Sequence, residues 1–164
     1  MIDGDWDRNC GRFIDQPIPR SIHQHYKKGK PWDETPLVDM YEDDRQFKHK
    51  CERIERLYNQ IERDGFEPQF NLANESPTVA WNSVNATIAP QTDEITVDIG
   101  RDGELLWNML GKHRLSIAKA LNIEHIPILV FARHSEWQAI RAQLANEENV
   151  TIPDSRHPDL RDLK

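Results

Sequence analysis

The longest regular pattern of apolar positions runs through residues 44–63. Apolar side chains recur there at steps of three and four, the spacing of one face of an α-helix. This stripe consists of Phe47, Cys51, Ile54, Leu57, Tyr58 and Ile61. Charged residues, Lys50 and Arg53 among them, fall between these positions, and Gly65 follows as a helix stop. The pattern predicts an amphipathic helix with a solvated charged face.

Patterns typical of β-strands follow later in the chain. Residues 95–99 alternate apolar and polar side chains, which predicts a half-buried strand. The pair Asp102-Gly103 is typical of a hairpin turn, so residues 104–107 are expected to return as the partner strand. Residues 126–131 form a continuous apolar run and predict a buried strand, with Pro127 near its start where no ladder hydrogen bond is lost.

Helical patterns also resume after the hairpin. Residues 112–121 follow Gly111 with apolar side chains at helical spacing, and a last helix is expected to begin near Ser135. Helices and strands together predict an α+β fold, a small mixed β-sheet with packed helices.

The organisation of the chain follows from the same patterns. Prolines break residues 1–43 into short pieces, which we expect to form an arm packed on the domain. Residues 44–146 carry the periodic segments and form the expected domain. Residues 71–94, rich in Asn, Thr, Ser and Pro, predict a long connection with a short strand around residues 79–81. Residues 147–164 are polar and are expected to be a loose tail.

Composition narrows the classes of function. The chain has 164 residues and a formal net charge of -7, so it repels polyanions as a whole and DNA is an unlikely partner. It has no apolar run long enough to span a membrane, and its acidic N-terminus lacks the apolar core of a secretion signal. Cys10 and Cys51 form neither a metal motif nor a disulfide framework. A cytoplasmic protein without a membrane or metal site is expected.

The turn formed by Gly111, Lys112, His113 and Arg114, called here the Gly111 turn, is the most chemically suggestive segment. Glycine lets a ligand or another backbone come close. The amides that follow it would be the unpaired donors of a helix N-terminus, where the helix dipole favours an anion. Three basic side chains on that first turn are unfavourable for a helix alone, and a bound phosphate would resolve the conflict. Otherwise Lys112 simply points to water and His113 packs or caps.

Several segments in succession resemble the ParB/sulfiredoxin superfamily. The Gly-Lys-His-Arg turn is similar to the family's G-x-[HR]-R turn, and it is followed by a helix with Ala-Lys-Ala-Leu at residues 118–121. Residues 126–130, Ile-Pro-Ile-Leu-Val, resemble the strand that comes next in the family. Upstream, residues 57–69 resemble the family's helix and glycine turn. The likeness covers roughly residues 50–135.

The resemblance implies a nucleoside triphosphate, ATP or CTP, bound by Gly111, Lys112, His113 and Arg114. We expect Arg114 to be the main anchor because its planar fork matches phosphate oxygens; the alternative is a structural Arg114 paired with a core carboxylate. Gln69 is a further candidate contact with the nucleotide. Glu67 is the candidate general base if the protein transfers a phosphoryl group, with Mg²⁺, to a small molecule.

The chain departs from the family in two ways, and each excludes a family property from what the resemblance implies. Sulfiredoxins have a reactive cysteine just before the His-Arg pair, where this chain has Lys112, so that reaction is not expected. About thirty residues follow the final predicted strand, too few for the helix-turn-helix domain of partition proteins. The alternatives left open are an enzyme, a non-catalytic module whose protein partner depends on the bound nucleotide, and, less favoured by the negative charge, a DNA-associated protein or nuclease.

Overall fold

A computed structural model of the protein describes residues 1–69, 71, 72, 94–146 and 156–163. These ranges contain helices and short strands, and the predicted α+β class is confirmed. The elements, in chain order, are α1 (Pro17–Lys28), α2 (Asp44–Asp64), β1 (Thr96–Ile99), β2 (Leu105–Asn108), α3 (Lys112–Leu121), β3 (Leu129–Arg133) and α4 (Ser135–Ala145). The short strand predicted around residues 79–81 lies outside the described residues.

The three strands form one small mixed sheet in the order β2-β1-β3. β1 pairs antiparallel with β2 through the predicted hairpin, where Gly100 N–H donates to the Glu104 carbonyl at 3.0 Å. β1 pairs parallel with β3, and the register shifts between Val97 and Asp98. The predicted mixed sheet is therefore present.

The third strand differs from its prediction. It covers Leu129–Arg133 and not residues 126–131, and its pairing begins where Leu129 lies beside Thr96. Pro127 precedes this point, and proline has no N–H with which to join a ladder. Nor is the run buried, since Leu129 is 44% and Phe131 68% exposed.

The chain divides into two compact units. The first contains Met1–Cys10, Thr96–Asn108 and Leu129–Lys164. Its core is formed by Ile99, Trp137 and Leu160 with partly buried neighbours. Part of the tail contributes to this core, because Pro158–Leu163 forms a 3-10 helix and Leu160 is only 2% exposed. The expectation of a loose tail was therefore wrong for these residues, whereas residues 147–155 lie outside the described part.

The second unit contains Gly11–Ile95 and Met109–Ile128. α1 and α2 both pack against α3 in it, around fully buried side chains such as Ile22, Ile54 and Ile117. The predicted apolar stripe of α2 faces this core, with Cys51, Ile54, Leu57 and Ile61 all buried. None of the helices in the described ranges combines the length and the apolar character needed to cross a membrane.

Candidate functional site

Gly111 holds a backbone conformation that other residues rarely adopt. Its φ is +73°, and a Cβ placed there would lie 2.6 Å from Cα of Ile95. A side chain would therefore be strained by the dihedral angle and would also clash with backbone. With glycine at this position, the chain can pass in close contact with Ile95 as it enters α3.

Gly111 is also the N-cap of α3, and glycine has no side chain with which to cap a helix. The Gly111 carbonyl accepts the first helical hydrogen bond from Leu115 N–H at 2.9 Å. The first-turn amides consequently point away from the helix, at the end where its dipole is positive. This end of α3 attracts negative charge.

Basic side chains from α2 and α3 converge near this helix end. Lys50 lies half-buried on α2. Burial, together with the charges of Arg53 and Lys112, lowers the pKa of Lys50 to about 8. Burial is the larger cause of this shift, and repulsion from the two neighbouring cations adds to it. Lys50 of α2 therefore lies close enough to Arg53 and to Lys112 of α3 for their charges to interact.

His113 is affected by the same three cations. Burial and then the charges of Lys50, Arg53 and Lys112 lower the pKa of its imidazole to about 3. The ring is therefore neutral at neutral pH. The positive charge of this region comes from Lys50, Arg53 and Lys112, called here the cation cluster.

Arg114 is turned away from solvent, since only 3% of its side chain is exposed. Its Nη1 donates to Glu94 Oε1 at 2.6 Å, and its Nη2 donates to the backbone carbonyl of Glu67. Its guanidinium carbon lies 4.2 Å from the centroid of the Phe66 ring. This geometry favours the structural interpretation of Arg114, with the difference that its carboxylate partner precedes β1 and is not part of the hairpin.

Glu94 connects two segments at this position. Its Oε2 accepts a hydrogen bond from Gln69 N–H at 2.7 Å, while Oε1 holds Arg114. Gln69 itself is 2% exposed. The predicted residues Gln69 and Arg114 are thus brought together, through a carboxylate that the sequence analysis did not single out.

Glu67, the candidate general base, is exposed. Its backbone carbonyl contacts Arg114, while its carboxylate accepts a long hydrogen bond from Asn71 Nδ2 at 3.4 Å. The structure therefore places the backbone of Glu67 next to the Gly111 turn and leaves its carboxylate in solvent. Within the described ranges no group of three or more His, Cys, Asp or Glu side chains is arranged to hold a metal ion.

Lys50 and Arg53 were missed, because the charged residues of α2 were all assigned to a solvated face. Both are half-buried, so that assignment was wrong for them. For Lys50, the position in the sequence relative to the apolar residues of α2 was informative. Lys50 lies three residues after Phe47 and four before Ile54, which places it on the apolar stripe.

In comparisons with known proteins, no family model, curated protein or solved structure matches the chain.

Proposed function

We propose that this protein binds the polyphosphate of a nucleoside triphosphate, ATP or CTP, at the Gly111 turn. The observation that carries the proposal is the convergence of Lys50, Arg53 and Lys112 at the N-terminal end of α3. Helix amides and cations at one point form the usual recognition chemistry for phosphate groups.

The energetics favour a ligand with several negative charges. Like charges held together at a partly buried position repel one another, and burial removes some of the water that would solvate them. A polyanion would add attraction to all three cations. Each charge-assisted hydrogen bond contributes about 1.5–3 kcal/mol, so a triphosphate that engages several cations would bind far more strongly than a single phosphate.

The basic residues have different roles in this binding site. Arg114 is held by Glu94 and orients the turn, whereas Lys112 and the two cations from α2 supply the charge that faces the phosphates. This revises the contacts that the resemblance implied, where Arg114 was the main anchor. Gly111 and His113 shape the turn, and the buried Gln69 supports it through its bond to Glu94.

Catalysis is a further step of the proposal. Glu67 is exposed beside the turn, so a hydroxyl acceptor bound there could lose its proton to this carboxylate during phosphoryl transfer. Mg²⁺ would accompany the triphosphate, held largely by phosphate oxygens. If Glu67 is the base, Glu67→Gln will abolish acceptor-dependent consumption of nucleotide and leave nucleotide affinity unchanged. Binding without consumption under any acceptor would instead favour the non-catalytic module.

Thermal unfolding tests the binding step. ATP, CTP and inorganic tripolyphosphate at millimolar concentration should each raise the melting temperature, because a ligand that binds only the folded state stabilises it. Adenosine and cytidine, which lack phosphates, are the matched controls and should have little effect. If no triphosphate shifts the melting temperature, the proposed function is wrong.

A further inference from the structure

A separate cavity lies on the other side of α2, within the same unit of the chain. It is bounded by α2 and by two short 3-10 segments, Trp32–Glu34 and Val38–Met40. Its volume is about 420 Å³, within the range of about 300–1,000 Å³ that is typical of small-molecule sites. None of the residues of the Gly111 turn lines it.

Aromatic rings form part of the wall of this cavity. Trp32 and Phe47 both line it. The Trp32 ring is fixed in place, because His25 stacks on it with ring centroids 4.0 Å apart and its Nε1 donates to Glu55 Oε1 at 2.7 Å. A wall that is already ordered loses little conformational entropy when a ligand binds.

The remaining polar lining is mostly anionic. Four carboxylates and a single ammonium, that of Lys48, surround the cavity; the carboxylates are those of Asp33, Asp44, Glu52 and Glu55. Within the described ranges none of these side chains takes part in an ion pair.

The thiol of Cys51, which also lines the cavity, is affected by these carboxylates. Burial and then the charges of Glu55, Asp33 and Glu52 raise its pKa to about 11. The carboxylates of Glu55, Asp33 and Glu52 therefore act on a side chain that lines the cavity, in addition to the effect of burial.

We infer that this cavity binds a small organic cation, an ammonium, amidinium or guanidinium group carried on a flat apolar body. Trp32 and Phe47 provide apolar contact, and the Phe47 ring adds attraction for a cation. Carboxylates of Glu52 and Asp33 at the rim match the parallel N–H groups of an amidinium or guanidinium. The same charges exclude anions, so this ligand is of a different class from the triphosphate proposed for the Gly111 turn.

Calorimetric titration with three near-isosteric probes tests this inference. Benzamidine is cationic, benzamide neutral and benzoate anionic, and all three share one aromatic body. We expect benzamidine to bind at least about tenfold more tightly than benzamide, as loss of one charge-assisted contact implies, and benzoate not to bind. Asp33→Asn combined with Glu52→Gln removes two exposed rim charges and should weaken benzamidine binding by a similar factor.

A matched variant controls for overall charge. Glu34→Gln combined with Glu62→Gln makes the same charge change at exposed positions, one on the same 3-10 segment and one on α2, outside the lining. It should alter benzamidine affinity less than about twofold, because exposed charges at a distance are screened. Equal affinity for benzamidine and benzamide, equal losses in the two double variants, or no benzamidine binding would each overturn the inference. So would binding of an arginine-rich hexapeptide by a protein that does not bind benzamidine.

Discussion

The guanidinium of Arg114 and the carboxylate of Glu94 meet at 2.6 Å, with 3% and 9% of their side chains exposed. The two residues are twenty positions apart, and Glu94 also holds the backbone of Gln69. The pair therefore fixes the first turn of α3 against the chain that leads into β1. Because the charges are largely withdrawn from water, each depends on the other for compensation.

Removing one member of this pair should destabilise the protein strongly. Glu94→Gln leaves the Arg114 charge buried without a carboxylate, which typically costs about 3–5 kcal/mol. Urea unfolding monitored by circular dichroism measures the loss. Replacing both residues, as Glu94→Met with Arg114→Met, should cost less than Glu94→Gln alone, since no buried charge is left.

An exposed pair provides the control for that prediction. Arg63 and Asp64 are bonded at 2.7 Å at the end of α2, with 74% and 47% of their side chains exposed. Asp64→Asn should leave the free energy of unfolding nearly unchanged, because water screens such pairs. Similar losses for Glu94→Gln and Asp64→Asn would contradict the structural role given to Glu94.

Gly111→Ala should destabilise the protein more than Gly29→Ala. Both glycines have left-handed φ angles, +73° and +66°, but a Cβ at Gly29 would meet nothing within 4 Å whereas one at Gly111 would meet Ile95 at 2.6 Å. The dihedral strain of about 1–2 kcal/mol is common to both variants, so the difference isolates the clash. Thermal unfolding of the two variants measures it. Equal destabilisation would show that Ile95 does not approach the turn so closely.

Local patterns predicted α2 and α3 well, because the apolar spacing of a helix is visible within its own segment of the sequence. The stripe from Phe47 to Ile61 anticipated α2, and the segment after Gly111 anticipated α3 with its observed bounds. The hairpin was equally visible in Asp102-Gly103. Each of these signals lies within one element and needs no knowledge of what packs against it.

Features that depend on distant contacts were not predictable in this way. Glu94 lies at the end of a polar segment with no periodicity, and nothing local indicates that its carboxylate meets Arg114. The start of β3 depends on which residue reaches Thr96, which the apolar run alone did not define. For Lys50 the spacing was informative, but a charged residue on an apolar stripe cannot be given a role until the facing helix is known.

The lowered pKa of Lys50 predicts how stability depends on pH. Its pKa is about 8 in the folded protein against 10.5 as the reference value, so between these pH values the unfolded chain binds more protons than the folded one. Stability from this residue therefore increases as the pH rises from about 8 to about 10.5. Lys50→Met should remove that increase, and Lys48→Met, an exposed substitution on the same helix, should retain it. Urea unfolding across this pH range measures the effect, and identical pH profiles for the two variants would contradict the position given to Lys50.

Calorimetric titration of ATP and tripolyphosphate at neutral pH tests the central claim most directly. Lys50→Gln combined with Lys112→Gln removes two charges of the cation cluster and should weaken binding by about tenfold to a hundredfold or more, as loss of charge-assisted contacts implies. Lys48→Gln combined with Lys119→Gln removes the same charge from exposed positions on the same two helices and should weaken it less than about threefold. That difference is the predicted result; equal losses in the two variants, or no binding by the unaltered protein, would contradict a triphosphate site at the Gly111 turn.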